Sequence, residues 1–172
     1  MRATNSVLAC LAVVTVACGG PSGGESDLEQ RRAEVARDGA AVMPFDLERT
    51  THVFEKHDGG GRQTVLADLD APEQVAPIRR HLAEEAERFA RGDFHDPEMV
   101  HGDDMAGLHS LVTGYEGLTI TYRDVDRGAE IEYTSEDPEL ITAIHLWFDA
   151  QLRDHGDHAQ PRPNPQPLPP SR

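Results

Sequence analysis

The sequence predicts an α+β domain with two layers, in which a four-stranded antiparallel sheet carries two long helices on one face. Two observations support this prediction. Segments of alternating apolar and polar residues occur in two pairs, and a glycine-containing turn joins the members of each pair. A longer segment with apolar residues at three- and four-residue spacing follows each pair, as expected of an amphipathic helix. The predicted order is therefore ββα(α)ββα, and both helical stripes would be buried against the sheet.

The first half of the domain is predicted to form a hairpin and a long helix. Strands are expected over residues 47–56 and 62–69, because the HDGGG turn between them contains an Asp-Gly pair that permits a positive φ. The long helix is expected over residues 72–91, and a short helix over 105–112 follows it. The apolar stripe of the long helix consists of Val75, Ile78, Leu82, Ala86 and Phe89.

The second half repeats this pattern. Strands are expected over residues 118–123 and 129–133, and the last helix over residues 138–154. The stripe of that helix consists of Ile141, Ile144, Phe148 and Leu152. When Pro72 is aligned with Pro138, the two stripes superpose, which is typical of a weak internal duplication.

The first 17 residues predict a signal peptide, since Arg2 precedes an apolar run that is too short to cross a bilayer. The run ends in TVAC followed by two glycines, which resembles a bacterial lipobox. We therefore predict that Cys18 is lipidated and becomes the first residue of the mature chain. The alternative is a secreted protein cleaved near Ala17.

The rest of the chain divides by composition into three parts. Residues 18–41 are predicted to be a flexible tether with at most a short, frayed helix, because they are polar and their start is rich in glycine. Residues 42–158 are predicted to form the folded domain. Residues 159–172 are predicted to be an extended, proline-rich tail.

Cysteine usage and charge exclude several kinds of site and partner. Cys10 leaves with the signal peptide and Cys18 carries the lipid, so we expect neither a disulfide nor a cysteine-ligated metal. The formal net charge of −15 repels nucleic acid and anionic headgroups. The expected partners are the membrane, through the lipid, and a protein of the cell envelope. We expect no nucleotide or organic cofactor.

Nine histidines in 172 residues are an excess that suggests a transition-metal site, for copper or zinc. His101 and Met105 lie close together in the segment FHDPEMVHGDDMAGL, with two aspartates between them. Imidazole with thioether suits copper, and imidazole with carboxylate suits zinc. His52 shares one side of the first strand with Phe54, and His81 flanks the stripe of the first long helix. Either ring is therefore a candidate ligand.

Two further histidines belong to the last helix. His145 flanks its apolar stripe, and Asp149 four residues later could orient the ring by accepting a hydrogen bond from it. A half-buried His145–Asp149 pair without a metal is the alternative. His155 precedes Gly156 and is expected to cap the helix end. Since ten helical residues span about 15 Å, at most one of the two can join His101, and we favour His145.

Three stretches carry a resemblance to a known family: MPFDLERTTHVFEK, GDFHDPEMVHGDDMAGL and ITAIHLWFDAQLRDHGDHA. They are similar to small actinobacterial proteins, many of them lipoproteins, over nearly all of residues 42–159. The resemblance implies histidines at five positions: His52, His81, His101, His145 and His155. Automated naming often labels such proteins aspartate carbamoyltransferase. We expect no transcarbamoylase activity, because that enzyme needs a longer two-domain chain and a Ser-Thr-Arg-Thr phosphate loop.

Three functions remain open from the sequence. The first is a membrane-tethered domain that binds copper or zinc through some of these histidines with Met105 or an aspartate. The second is a cell-envelope module that binds a protein partner through its acidic surface or its proline-rich tail. The third is a small hydrolase with a His–Asp pair, although no serine nucleophile motif stands out.

Overall fold

The computed structural model describes residues 23–161, which form an α+β fold on a five-stranded mixed sheet. The helices are α1 (Gly23–Val42), α2 (Val75–Phe89), α3 (His95–His101), α4 (Leu108–Gly114) and α5 (Pro138–His155). The strands are β1 (Thr50–His57), β2 (Gly60–Ala67), β3 (Thr119–Val125), β4 (Gly128–Thr134) and β5 (Ala159–Pro161). The predicted signal peptide, the predicted lipid attachment at Cys18 and residues 162–172 of the predicted tail lie outside the described residues.

The strand order is β3-β4-β2-β1-β5. The α+β class is confirmed, and the predicted antiparallel strands correspond to β1–β4, which pair antiparallel throughout. The fifth strand was not predicted. It runs parallel to β1, with Ala159 opposite His52 and Pro161 opposite Phe54. The segment predicted to be a tail from residue 159 therefore begins with a strand that extends the sheet next to His52.

Both long helices pack on the same face of the sheet, as predicted. Helix α2 contacts β2, β3 and β4, whereas α5 contacts β1, β2 and β5. The alternation seen in the sequence places every second strand residue under these helices, so Phe54, Val65 and Ile131 are buried. Trp147 of α5 lies at the centre of the core, and its ring is 5.3 Å from that of Tyr133.

Helix α1 is the largest difference from the expected organisation. Residues 23–42 form a helix that packs against α3 and α5, where a flexible tether was expected up to residue 41. Its contact with the domain includes one buried apolar side chain and an ion pair. Val35 is completely buried, and Nη2 of Arg31 lies 3.1 Å from the Asp154 carboxylate. Helix α3 was also not predicted, and it carries His101 at its last position.

None of the helices described between residues 23 and 161 combines the length and the apolar character needed to cross a membrane.

Replacing Val35 with alanine should destabilise the protein, because α1 would lose its completely buried apolar anchor. Removing two buried methyl groups should lower the free energy of unfolding by about 1.5 kcal/mol, as measured by urea denaturation. The matched control is Arg37→Ala on the exposed side of the same helix, which should change stability much less. Equal effects of the two substitutions would show that α1 is not docked through Val35.

Candidate metal centre

A cavity of about 30 Å³ lies between the sheet, the segment before β1 and helices α2, α3 and α5. One water needs about 10–15 Å³ of such space, so the cavity has room for two or three occupants the size of a water or an ion. Four of the nine histidines line it: His52, His81, His101 and His155. The sequence alone did not show that these four would meet, since they come from four different elements.

The ring of His155 lies close to two of the other rings. The ring centroid of His155 is 5.3 Å from that of His52 and 5.0 Å from that of His101. All three side chains are buried, with exposed fractions of 3% for His52, 2% for His101 and 7% for His155. Strand β1 supplies His52, and the C-terminal ends of α3 and α5 supply the other two rings.

A buried carboxylate orients His101. Oδ2 of Asp154 lies 3.1 Å from Nδ1 of His101 and 3.1 Å from Nη2 of Arg31, and Oδ1 accepts a hydrogen bond from Nε of Arg153 at 2.8 Å. Burial opposes ionisation of Asp154, but the hydrogen bonds from His101, Arg153 and Arg31 hold its pKa well below its ordinary value. An ionised Asp154 fixes the proton of His101 on Nδ1. Nε2 is then the nitrogen that does not contact the carboxylate, which is the arrangement of many metal-binding histidines.

Three polar atoms of the cavity wall have no hydrogen-bond partner among residues 23–161: Nε2 of His52, Nε1 of Trp147 and Oε1 of Gln151. The side chains that carry them are at least nine-tenths buried. An unpaired buried donor or acceptor costs about 1–3 kcal/mol. A ligand that accepts from Trp147 and interacts with the other two atoms would remove that cost.

Burial keeps two of the histidines neutral. It lowers the pKa of His52 to about 4, helped by repulsion from His81, His158 and His101. Burial also lowers the pKa of His155 well below its ordinary value, and the neighbouring His52 and His101 add to this effect. A neutral imidazole is the form that binds a metal, so these rings are ready to act as ligands at neutral pH.

The α2–α3 side of the cavity has a different character. His81 and Glu85 of α2 and Asp96 of α3 each offer a ligand atom within 4.8 Å of the other two. Nε2 of His81 lies 3.4 Å from Oε1 of Glu85. Burial opposes the charge of His81, but the hydrogen bond with Glu85 and the charges of Glu85 and Asp96 outweigh it and raise the pKa of the ring. This side of the cavity therefore favours positive charge.

The structure does not bring the other predicted residues to the cavity. Nε2 of His145 donates to the carbonyl oxygens of His57 (3.0 Å) and Gly60 (2.8 Å), so this ring fixes the β1–β2 turn. Asp149 binds Lys56 at 2.6 Å rather than His145. Met105 is buried in the hydrophobic core and does not line the cavity. The expectation that His145 rather than His155 would join His101 is wrong, because the face of α5 that carries Trp147, Gln151 and His155 lines the cavity, whereas His145 lies on the side that contacts the β1–β2 turn.

Several residues of the site were missed by reasoning from the sequence. Asp154, Gln151, Trp147, Glu85 and Asp96 are not in a metal-binding motif. A signal existed for Glu85, which lies four residues after His81 on one helix, but such a pair is usually a surface ion pair.

Comparisons of the chain with protein-family models, with curated proteins and with solved structures find no significant match. The resemblance to actinobacterial lipoproteins therefore stays a prediction, and function has to be argued from the cavity itself.

In the presence of a chelator, acid should destabilise the protein partly through His52. The unfolded chain protonates this ring below its ordinary pKa of 6.5, but the folded chain does so only below about 4. Between these two pH values the unfolded chain binds a proton that the folded chain does not bind, so lowering the pH favours unfolding. At pH 5 this lowers the free energy of unfolding by about 2 kcal/mol. His155 acts in the same direction. His81 acts in the opposite direction, because a raised pKa gives stability that is lost as the pH rises.

The measurement is urea unfolding at pH 7.5 and pH 5 for wild type, His52→Asn and the exposed control His109→Asn. Wild type and the control should lose about 2 kcal/mol more than His52→Asn between these pH values. An equal loss in all three proteins would show that His52 is not held in its neutral form.

Proposed function

We propose that this protein binds a transition-metal ion, zinc or copper, through His52, His101 and His155. The observation that supports the proposal best is that the ring of His155 lies beside the buried rings of His52 and His101, and that the Asp154 carboxylate orients His101. Zinc binds imidazole nitrogen at about 2.0–2.1 Å, so the centroid of a bound ring lies about 3.2 Å from the ion. Two rings at a tetrahedral angle then have centroids about 5 Å apart. The spacings of 5.0 and 5.3 Å from His155 to His101 and to His52 agree with this geometry for the two pairs that include His155.

The cavity also offers groups for a fourth position. Oε1 of Gln151 is an unpaired oxygen, and Nε1 of Trp147 is an unpaired donor for a water on the ion. Three histidines with a fourth oxygen ligand are a known zinc arrangement. Met105 does not line the cavity, but Met43 does, so a thioether that suits copper is present in the cavity wall.

The proposal includes a location outside the cytoplasm. A lipid on Cys18 would hold the domain at the membrane surface, since its net charge of −15 would not attract it to anionic headgroups. Only four positions separate Cys18 from the start of α1 at Gly23. The domain would therefore sit close to the membrane.

The His101–Asp154 pair is also the feature that a hydrolase with a His–Asp pair would need. The residues that line the cavity include no serine, threonine or cysteine. Nucleophilic catalysis needs such a group within hydrogen-bond reach of the histidine. The metal-binding function therefore accounts for this pair better than the hydrolase does.

Zinc or copper should raise the melting temperature of the wild-type protein, because an ion that binds only the folded state stabilises it. The gain is about 2.7 kcal/mol at a hundredfold excess over Kd. His155→Ala should abolish this shift and the heat of binding in calorimetry. His145→Ala lowers the starting stability by releasing the β1–β2 turn, but it should retain the metal-dependent shift, as should the exposed control His109→Ala. Lack of saturable binding of either ion to wild type would exclude the proposal.

Replacing Cys18 with serine should move the protein from the membrane fraction to the soluble fraction, because no lipid could then be attached. The measurement is fractionation of cells expressing either form, followed by immunoblotting. Cys10→Ser is the control and should leave the membrane association unchanged. Membrane association of Cys18→Ser equal to that of wild type would show that the lipid is not the anchor.

A further inference from the structure

We infer that the α2–α3 wall of the cavity binds a second divalent cation through His81, Glu85 and Asp96, beside the three-histidine centre. This inference deepens the proposed metal-binding function and rests on it for the identity of the neighbouring centre. One nitrogen and two carboxylate oxygens lie within 4.8 Å of one another. Ligands about 2.1 Å from a common ion are about 3.4 Å apart, so the set would close on an ion through side-chain shifts of about 1 Å.

Glu85 lacks a strong partner in its buried position. Its side chain is 10% exposed, and its ion pair among the described residues is the 3.4 Å contact with His81. Charge-assisted hydrogen bonds are usually about 2.7–2.9 Å long, so this contact is weak. A buried carboxylate is unfavourable unless a cation is close. An ion bound between Glu85 and His81 would bring positive charge closer to Glu85 than the 3.4 Å contact with His81 does.

Arg88 does not act as the cation beside Glu85, because it binds Asp96. Its guanidinium approaches the two oxygens of Asp96 at 2.7 and 2.8 Å and also lies 3.2 Å from Asp93. A carboxylate has about four lone-pair directions, so Asp96 can bind Arg88 and an ion at the same time. Arg88 would then hold Asp96 in the orientation that an ion requires, as outer partners of metal ligands do.

The second site is separate from the three-histidine centre. The ring of Phe45 packs edge-on between them, with its centroid 6.0 Å from His52 and 5.6 Å from His81. The unpaired polar atoms of His52, Trp147 and Gln151 line the same cavity and belong to the three-histidine side of it. Two neighbouring ions account for more of the polar groups of the cavity than one ion does.

The donor sets of the two sites select different ions. Three imidazoles suit zinc and copper, whereas one imidazole with two carboxylates also suits manganese. Manganese is the weakest binder of its series at a neutral nitrogen site. Mn²⁺ therefore serves as a selective probe of the second site, and Zn²⁺ as a probe of both.

The test uses the full chain and two measurements. Electron paramagnetic resonance follows the loss of free Mn²⁺, and native mass spectrometry counts bound Zn²⁺. Wild type should bind one Mn²⁺ and two Zn²⁺. Glu85→Gln keeps the shape of the side chain but removes its charge, so it should weaken Mn²⁺ binding at least tenfold and bind one Zn²⁺. The exposed neighbour Glu84→Gln should behave like wild type, and Asp96→Asn like Glu85→Gln.

His155→Ala separates this inference from the proposed function. It should lose one Zn²⁺ and keep its Mn²⁺. If one Zn²⁺ is lost in Glu85→Gln but none in His155→Ala, the second site stands and the three-histidine centre fails. If Glu85→Gln binds both ions like wild type, or if both variants lose one and the same ion, the second site is excluded. Circular dichroism must show each variant folded, and Asp96→Asn replaces Glu85→Gln if that variant unfolds.

Discussion

The buried carboxylate of Asp154 sets the arrangement of the helices around the cavity. Its side chain has no exposed surface, and removing the partners of such a charge costs about 3–5 kcal/mol. Those partners come from three helices: Arg31 of α1, His101 of α3 and Arg153 of α5. Helices α1 and α3 must therefore dock at the end of α5 for the charge to be satisfied. The same docking places the ring of His101 beside that of His155, so the geometry of the proposed metal centre depends on this ion-pair cluster.

Much of the fold could be predicted because it depends on apolar burial. Ile78, Leu82 and Phe89 repeat at helical spacing, and Ile131 and Tyr133 alternate with polar neighbours, so the pattern identifies the elements and their buried faces. Helix α1 and strand β5 leave no such pattern. Helix α1 depends on Val35 and on an ion pair whose partners are 123 positions apart. Strand β5 is three residues long and includes a proline, so its pairing with β1 depends on tertiary contacts.

The sequence identified the histidines of the site but not their grouping. Periodicity shows which face of a helix or strand a residue occupies. A metal centre depends in addition on which helices and strands pack against one another. His145 was favoured because it flanks a buried stripe, yet the turn carbonyls of His57 and Gly60 accept from its ring. His155 was assigned to capping because Gly156 follows it, and Gly156 does adopt a positive φ of 55°. The end of α5 is nevertheless buried. The glycine after the helix therefore predicts how the helix ends, but not which side chains the ring of His155 contacts.

The cavity divides into two halves of opposite electrostatic character. Burial lowers the pKa of His52 and His155, so one half presents neutral nitrogen atoms. The carboxylates of Glu85 and Asp96 raise the pKa of His81, so the other half attracts positive charge. Apolar residues of similar size would pack such a cavity at least as stably, since buried polar clusters rarely add net stability. Stability alone therefore does not account for these side chains, whereas the proposed cation binding would account for both halves, each by its own donor chemistry.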